Sequence, residues 1–204
     1  MSVKLVLFCC FFVAFFSVYA QESNLKKFSR LSGPEKCWVI FHPFVAKKAL
    51  KISVKTRGIT KEIQQKKILK GNGNGGQIDA FRHTFWMATL TQEIGARRAR
   101  SLGGKHEKGN YKDYKKRRLE DGVIPDKISS DMDLFNNEVG IEIGLKSDNL
   151  DIEKKVVKTV LRGECKIIKK DAYDNFLACD GNYISLEILK GKWENNKCLV
   201  WSSE

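Results

Sequence analysis

Apolar side chains recur every three to four residues along much of the chain, a pattern typical of amphipathic helices. Five segments show it, namely residues 43–57, 60–70, 78–101, 131–146 and 151–162. Helices of this kind must bury their apolar faces against one another. The pattern therefore predicts a mainly α-helical body.

Proline and glycine mark where these helices are expected to begin and end. Pro43 suits the first turn of a helix, and Gly58 is expected to end that helix. Gly95 is expected to bend or divide the segment 78–101, and Gly103-Gly104 to close it.

Two stretches between the predicted helices are expected to form loops. Residues 71–76 are all glycine or asparagine, which favours a flexible loop. This run lacks the Gly-Lys-Ser/Thr ending of a phosphate-binding loop. Residues 108–128 are charged and have no apolar period, so a solvated loop is expected there.

The pattern changes after Gly163. Residues 164–169, 175–179 and 197–201 predict short strands, with Asp180-Gly181-Asn182 as a turn. The expected fold class is thus mainly α, a helical domain with a small C-terminal antiparallel β element. In residue ranges, the helical body is 34–162 and the β-rich element is 163–204.

The N-terminus resembles a cleavable secretory signal. Lys4 is followed by an unbroken apolar or small run, Leu5 to Val18, and Val18-Tyr19-Ala20 offers small side chains for cleavage. The alternative is a membrane anchor, but spanning a bilayer takes about twenty apolar residues, more than this run supplies. Residues 1–20 are therefore predicted to be a signal peptide, and 21–204 a single mature domain that is secreted or periplasmic. No other segment is long enough to be transmembrane.

The strongly basic composition bears on possible partners. The formal net charge is +13, and Lys4 is the only charged residue that cleavage after Ala20 would remove. Such a charge favours anionic partners, either an anionic polymer or a lipid surface, with the lysine-rich segment 105–118 as the contact. The alternative is a basic exported protein without such a partner, because the lysines are spread along the chain.

Cleavage of the signal would leave four cysteines, an even number in an oxidising compartment. They are Cys37, Cys165, Cys179 and Cys198. Two disulfides are predicted, and three pairings are possible. The favoured pairing joins Cys165 to Cys179 and Cys37 to Cys198. A zinc site is the alternative, although the sequence contains no CxxC pair.

The first candidate site is Asp79-x-x-Arg82-His83. On a helix Asp79 and His83 share a face, and Trp86 lies one turn beyond His83. A carboxylate beside an imidazole fixes its tautomer and raises its pKa, which suits a general base or a metal ligand. The alternative is an Asp–His hydrogen bond that only holds the helix to the core.

Two further clusters of polar residues are also candidates for a functional site. His106-Glu107 follows the glycine pair, and at a helix end these side chains are well placed to meet a site built by other elements. The alternative is a histidine that is only favoured by the dipole of a helix C-terminus. Asp133 shares a helix face with Asn136 and Asn137, whose amides are costly to bury unless they cap another segment or bind a hard metal beside the aspartates. Together the three clusters supply the groups of a metal-assisted or acid–base hydrolytic site. The sequence leaves the cofactor unknown, with a divalent metal as one candidate.

Four sequence blocks resemble a bacterial family of unknown function. They are Phe41-His42-Pro43, Asp79 to Trp86, His106-Glu107 and Met132 to Gly140. The resemblance covers roughly residues 38–146 and implies a helical domain that occurs in exported proteins and at the ends of larger surface or toxin-like proteins. It implies no established reaction. In the family that the chain resembles, the position occupied here by Phe135 can be histidine. If that histidine matters in relatives, its absence here puts a shared catalytic role in doubt.

Two functions compete on these grounds. The first is hydrolysis of an anionic ester, such as a phosphodiester or phospholipid. His83 would then act as base or ligand, with catalytic roles also for Asp79, His106 and Glu107. Metal or substrate would be bound by the remaining candidates, Arg82, Trp86, Asp133, Asn136 and Asn137. The second is a non-enzymatic module in which the same residues form a buried hydrogen-bond network.

Overall fold

The structure, a computed structural model, describes residues 24–119, 122–147 and 151–204. The predicted signal peptide lies outside these residues. The chain divides into two units, Met1–Leu31 and Ser32–Glu204. Helix α1 (Asn24–Arg30) is the described element of the first unit.

The second unit is built mainly of helices, which confirms the predicted fold class. Its described helices are α2 (Gly33–Phe41), α3 (Pro43–Gln65), α4 (Gln77–Ile94), α5 (Ala96–Lys115), α6 (Lys127–Lys146), α7 (Ile152–Leu161) and the short α8 (Leu186–Leu189). Two strands, β1 (Lys166–Ile168) and β2 (Leu199–Trp201), form an antiparallel sheet. None of the helices within the described ranges combines the length and the apolar content needed to cross a membrane.

Helix α4 forms the centre of the unit because it is apolar on nearly all sides. On one side Phe81 and Phe85 pack with Val156 and Val160 of α7. On the other side the core contains Met87 and Leu90 of α4, with Trp38 of α2, Ile52 of α3 and Leu102 of α5. Polar residues on such a central helix are therefore held in place by packing from several directions.

Two glycines allow α6 to lie directly on α4. A Cβ at Gly140 would collide with the backbone oxygen of Thr84, and one at Gly144 would lie 2.6 Å from the backbone oxygen of Ala88. Neither obstacle is a side chain that can rotate away. The two helix backbones thus come closer than any larger residue would permit.

The expectation that Gly58 ends a helix is wrong. Helix α3 continues through Gly58 to Gln65, so it joins the predicted segment 43–57 to the first part of the predicted segment 60–70 and ends before residue 70. A glycine inside an exposed helix costs only about 1 kcal/mol. Burial of Ile52 and Ile63 on either side of it outweighs that cost.

The expectation that Gly103-Gly104 closes a helix is also wrong. Helix α5 runs through both glycines to Lys115, so residues 108–115 are helical rather than part of a loop. Gly103 faces α4 and α6, where a Cβ would lie 3.1 Å from Asn137 Nδ2. Gly103 therefore serves close packing. Gly95 does divide the helices, with φ 86° and ψ 146° between α4 and α5.

The apolar stretch before Pro43 forms helix α2, for which no element was predicted. Ser32 and Glu35 make a capping box, because the Ser32 hydroxyl accepts from the backbone N–H of Glu35 and the Glu35 carboxylate accepts from that of Ser32. Pro34 occupies the first turn, where its missing N–H costs nothing. The same glutamate reappears in the candidate site.

The C-terminal sheet is smaller than predicted. Lys166 pairs with Trp201 and Ile168 with Leu199. Residues 175–179 are assigned no strand and make only isolated bridges, at Phe176 and Leu177. Phe176 bridges Lys170 and Leu177 bridges Tyr183, each across a short turn.

The prediction of two disulfides and the favoured pairing are both wrong for the four cysteines in the described residues. Cys179 is bonded to Cys198, with 4.8 Å between their Cα atoms. Cys165 is a buried free thiol 3.5 Å from the Thr84 hydroxyl, and burial raises its pKa to about 11. Cys37 is free and exposed. Pairing follows the backbone contact between Leu177 and Cys198, which brings the two C-terminal segments together.

Candidate metal centre

The glycine-rich loop 71–76 leads into the first turn of α4 and fixes Asp79. The backbone N–H of Gly75 donates to Asp79 Oδ2 at 2.7 Å. The backbone carbonyl of Gly75 accepts a hydrogen bond from the backbone N–H of Ile168, also at 2.7 Å. Gly75 has φ 76°, and a Cβ there would lie 2.9 Å from the Ile168 side chain. A glycine is thus required for both the backbone conformation and the space. Near a helix N-terminus, Asp79 also benefits from the helix dipole.

Three possible ligand atoms converge between α4 and α6. His83 Nε2 lies 3.6 Å from Asp79 Oδ1 and 3.4 Å from Asp133 Oδ1. One ligand atom from each of the three residues lies within 4.8 Å of the others. All three residues are buried, with 5% of Asp79, 4% of His83 and 6% of Asp133 exposed.

Asn137 sets the tautomer of His83. Its Oδ1 lies 3.3 Å from His83 Nδ1, and a carbonyl oxygen can only accept. The Nδ1 atom therefore carries the proton in the neutral ring, and the lone pair of Nε2 faces the two aspartates. This is the arrangement of a metal-binding histidine whose other nitrogen is held by an oxygen acceptor.

Burial lowers the pKa of His83 well below its usual 6.5, and the positive charges of Arg82 and of His106 in its protonated form act in the same direction. The hydrogen bond to Asn137 opposes this shift but does not outweigh it. At neutral pH His83 is consequently the neutral imidazole that a metal requires.

Arg82 borders the cluster, and its side chain is more exposed than those of the three candidate ligands. Its Nη2 atom donates to Asp79 Oδ1 at 2.6 Å and lies 3.3 Å from His83 Nε2. The guanidinium thus already supplies one positive charge to the carboxylate. Any bound cation would have to share Asp79 with it or displace it from His83.

His106 is the second histidine of the site, but its carboxylate partner is Glu35 of α2. His106 Nδ1 donates to Glu35 Oε1 at 3.0 Å, and the two side chains are 24% and 17% exposed. The His106 ring centroid lies 6.3 Å from that of His83 and 5.7 Å from that of Trp86. Burial raises the pKa of Glu35, but the hydrogen bond and charge of His106 outweigh it, so the net shift is downward.

Glu107, predicted to act together with His106, is placed differently. It is buried, and its Oε2 accepts from Asn110 Nδ2 at 3.1 Å. Trp86 uses its indole N–H on the Ser53 hydroxyl at 3.0 Å. The structure thus brings Asp79, His83 and Asp133 together with His106 nearby, and adds Glu35.

Asn136 and Asn137 have separate partners. Asn136 Nδ2 donates to the carbonyl of Lys166 and its Oδ1 accepts from the backbone N–H of the same residue, both at 2.9 Å. Both polar atoms of this amide are engaged with β1, so Asn136 caps another segment. Asn137 is the asparagine that contacts the histidine cluster.

The chain belongs to the family described as "Domain of unknown function (DUF6973)", whose model matches residues 36–167. This match confirms the expectation of a family of unknown function. The matched range includes both histidines of the site and both aspartates, whereas the disulfide between Cys179 and Cys198 lies beyond it. No curated protein and no solved structure matches the chain.

Proposed function

We propose that this domain binds a divalent cation through Asp79, His83 and Asp133 and hydrolyses an anionic ester such as a phosphodiester or phospholipid. The observation that carries the proposal is the convergence of the His83 Nε2 lone pair and one oxygen from each aspartate. Metal–ligand bonds of about 2.0–2.2 Å require neighbouring ligand atoms roughly 3 Å apart, close to the 3.4 and 3.6 Å found before a cation draws them in.

The ligand set also indicates the class of cation. Two carboxylate oxygens and one imidazole nitrogen suit Mn²⁺ or Zn²⁺, while a site for Mg²⁺ or Ca²⁺ would use oxygen atoms alone. A cation at this position would polarise a phosphoryl oxygen and activate water. Arg82, displaced from His83, would then be available to an anionic substrate group.

The pair formed by His106 and Glu35 supports an acid–base role. Because Glu35 accepts a hydrogen bond from Nδ1–H of His106, the neutral ring keeps its proton on Nδ1 and a lone pair on Nε2. In the proposed reaction Nε2 takes a proton from water, the water oxygen attacks phosphorus, and the bond to the leaving group breaks. The protonated His106 then returns its proton to the leaving oxygen.

Cation binding can be tested by titrating the chain with MnCl₂ and ZnCl₂ in a calorimeter. Asp133→Asn is expected to weaken binding at least tenfold, because it removes a charged ligand. Asp131→Asn is the matched control, since this aspartate lies on the same helix but pairs with Lys127 at the surface. Absence of binding by the wild type, or equal binding by both variants, would exclude the proposed site.

Hydrolysis needs a separate test, with bis(p-nitrophenyl) phosphate as the probe. His106→Gln should keep cation binding but lower kcat about 100-fold, as expected for loss of a general base. Glu35→Gln should lower kcat less, since it only orients the ring. A wild type that binds the cation without cleaving this or a phospholipid substrate would limit the domain to binding.

The second candidate is a structural network, favoured by the burial of the cluster and by the contact between Arg82 and Asp79. In that case Arg82 takes the place of a metal, and the polar residues fix the packing of α4 on α6. Added cation would leave the unfolding temperature unchanged, whereas Asp133→Asn would lower it.

We also propose that the basic end of α5 contacts an anionic polymer or lipid surface. Lys112, Lys115 and Lys116 are exposed there. Lys115 lies over the Tyr111 ring, with 4.4 Å between Nζ and the centroid. Replacement of Lys112 and Lys115 by glutamine should lower the salt concentration that elutes the protein from heparin. An unchanged elution position would contradict this contact.

Export of the protein, from bacterial cells as the resemblance implies, is a further part of the proposal. It is supported by the apolar run at residues 5–18 and by the disulfide between Cys179 and Cys198. The measurement is the intact mass of protein recovered from the periplasm or medium, with Gln21 expected as the first residue. An uncleaved N-terminus would contradict it.

A further inference from the structure

The corner between α2 and α3 exposes large apolar side chains. Ile40 is 64% exposed, Phe41 79% and Phe44 97%. These residues lie within five positions of one another, on both sides of His42-Pro43. Single exposed apolar residues are normal on protein surfaces, but several at one corner indicate a surface that contacts a membrane or another molecule.

A row of lysines continues from this corner along α3. Lys47, Lys51 and Lys55 are exposed and follow Phe44 at spacings of three and four, so all four side chains share one face. Lys48 borders that face and pairs with Glu93, with 2.8 Å between Nζ and Oε2. The face therefore combines an aromatic end with a basic stripe.

We propose that this face of α2 and α3, called here the corner face (Ile40, Phe41, Phe44, Lys47 and Lys51), docks on a bilayer containing anionic phospholipid. Charge complementarity supports this partner, because lysines meet lipid phosphates while phenylalanines enter the acyl boundary. A soluble polyanion would satisfy the lysines but leave the apolar side chains in water. A second copy of this basic chain would bring like charges together.

The binding is a sum of two moderate contributions. Each exposed lysine near an anionic membrane is worth about fivefold in partition, and burial of a phenylalanine is worth roughly tenfold or more. Neither the lysines alone nor the phenylalanines alone give stable attachment to the membrane. Other peripheral proteins likewise need two membrane-binding features for stable attachment. The proposal is independent of the candidate metal centre, since its residues are different.

The test is co-sedimentation with vesicles of phosphatidylcholine and phosphatidylglycerol in a 3:1 ratio, compared with pure phosphatidylcholine. The full chain and the chain beginning at Gln21 are both measured, so that any contribution of residues 1–20 is separated. Phe41→Ser with Phe44→Ser should lower partition about 100-fold or more, since the two phenylalanines contribute roughly tenfold or more each. The control is Leu186→Ser, which replaces a 68% exposed leucine on α8 and should have no effect.

Charge variants separate this face from α5. Lys47→Gln with Lys51→Gln should lower partition about 25-fold, since two lysines contribute about fivefold each. If only Lys112→Gln with Lys115→Gln weakens binding, the corner face is not the contact and the proposal fails. It also fails if pure phosphatidylcholine binds equally well, if the phenylalanine variants bind like wild type, or if these variants instead dissociate a dimer seen by light scattering.

Discussion

The contact between α4 and α6 and the contact between α2 and α5 each pair a histidine with carboxylate, but in different surroundings. His83 is 4% exposed and lies 3.4 Å or more from its aspartates, with Arg82 Nη2 at 3.3 Å from its Nε2. His106 is 24% exposed and donates to Glu35 at 3.0 Å. Burial lowers the pKa of His83, whereas the interaction with His106 lowers that of Glu35.

The difference teaches that a carboxylate neighbour alone does not determine the charge of a histidine. At the buried contact the cost of desolvating the imidazolium dominates, so the neutral ring is favoured. At the half-buried contact the cost of desolvating a charged group is smaller, and the ionised form of the Glu35 carboxylate is favoured. The first surroundings suit a metal ligand, and the second suit an acid–base pair.

The largest expected effect comes from breaking the packing at the buried contact. Gly140→Ala would place a methyl group against the backbone of Thr84, and we expect it to lower the free energy of unfolding by about 3 kcal/mol. Gly104→Ala, on α5 with nothing within 4 Å of the added carbon, should instead raise it by about 0.5–1 kcal/mol. Urea unfolding of both variants measures the contrast, and equal losses would contradict it.

An intermediate effect is expected from acid. The pKa of His83 is below 6.5 in the folded protein, so the unfolded chain binds this proton first. Stability from this group is therefore present above pH 6.5 and falls by about 1.4 kcal/mol for each pH unit below it, down to the folded pKa. Chemical unfolding of the wild type and His83→Gln between pH 7 and 5 should give diverging curves. Parallel curves would show that His83 does not resist protonation.

The smallest effect is expected at the half-buried contact. The pKa of Glu35 is lower in the folded protein than its ordinary 4.5, so its contribution to stability is present above that pH and is lost as the pH falls through the folded pKa. Glu35→Gln should cost about 1 kcal/mol at pH 7 and less in acid. Glu142→Gln, in a surface pair with Lys146, is the control and should cost under about 0.5 kcal/mol. Equal losses of unfolding free energy in both variants would contradict a larger contribution from the pair of Glu35 and His106.

Much of the helical fold was predictable because local periodicity determines it. The helices predicted over 131–146 and 151–162 correspond to α6 and α7. The glycines were misinterpreted because a helix stop and a close helix contact use the same residue. At Gly103 only the neighbouring helices decide between the two.

The candidate site was predictable in part. Asp79 and His83 share a face by helical spacing, but spacing could not bring Asp133 to them across the contact between α4 and α6. Glu35 was missed although Ser32-Gly33-Pro34-Glu35 is a readable capping-box signal. Disulfide connectivity was beyond reach, because it depends on which loops meet in three dimensions.

One feature of the small sheet affects how copies of the protein behave towards each other. The side of β1 turned away from β2 offers the backbone groups of Lys166 and the N–H of Ile168, which Asn136 and the carbonyl of Gly75 bind. A bare strand edge can recruit a strand from another molecule and start aggregation. A helix side chain and a loop carbonyl here take the place of a third strand, so this edge is protected against aggregation.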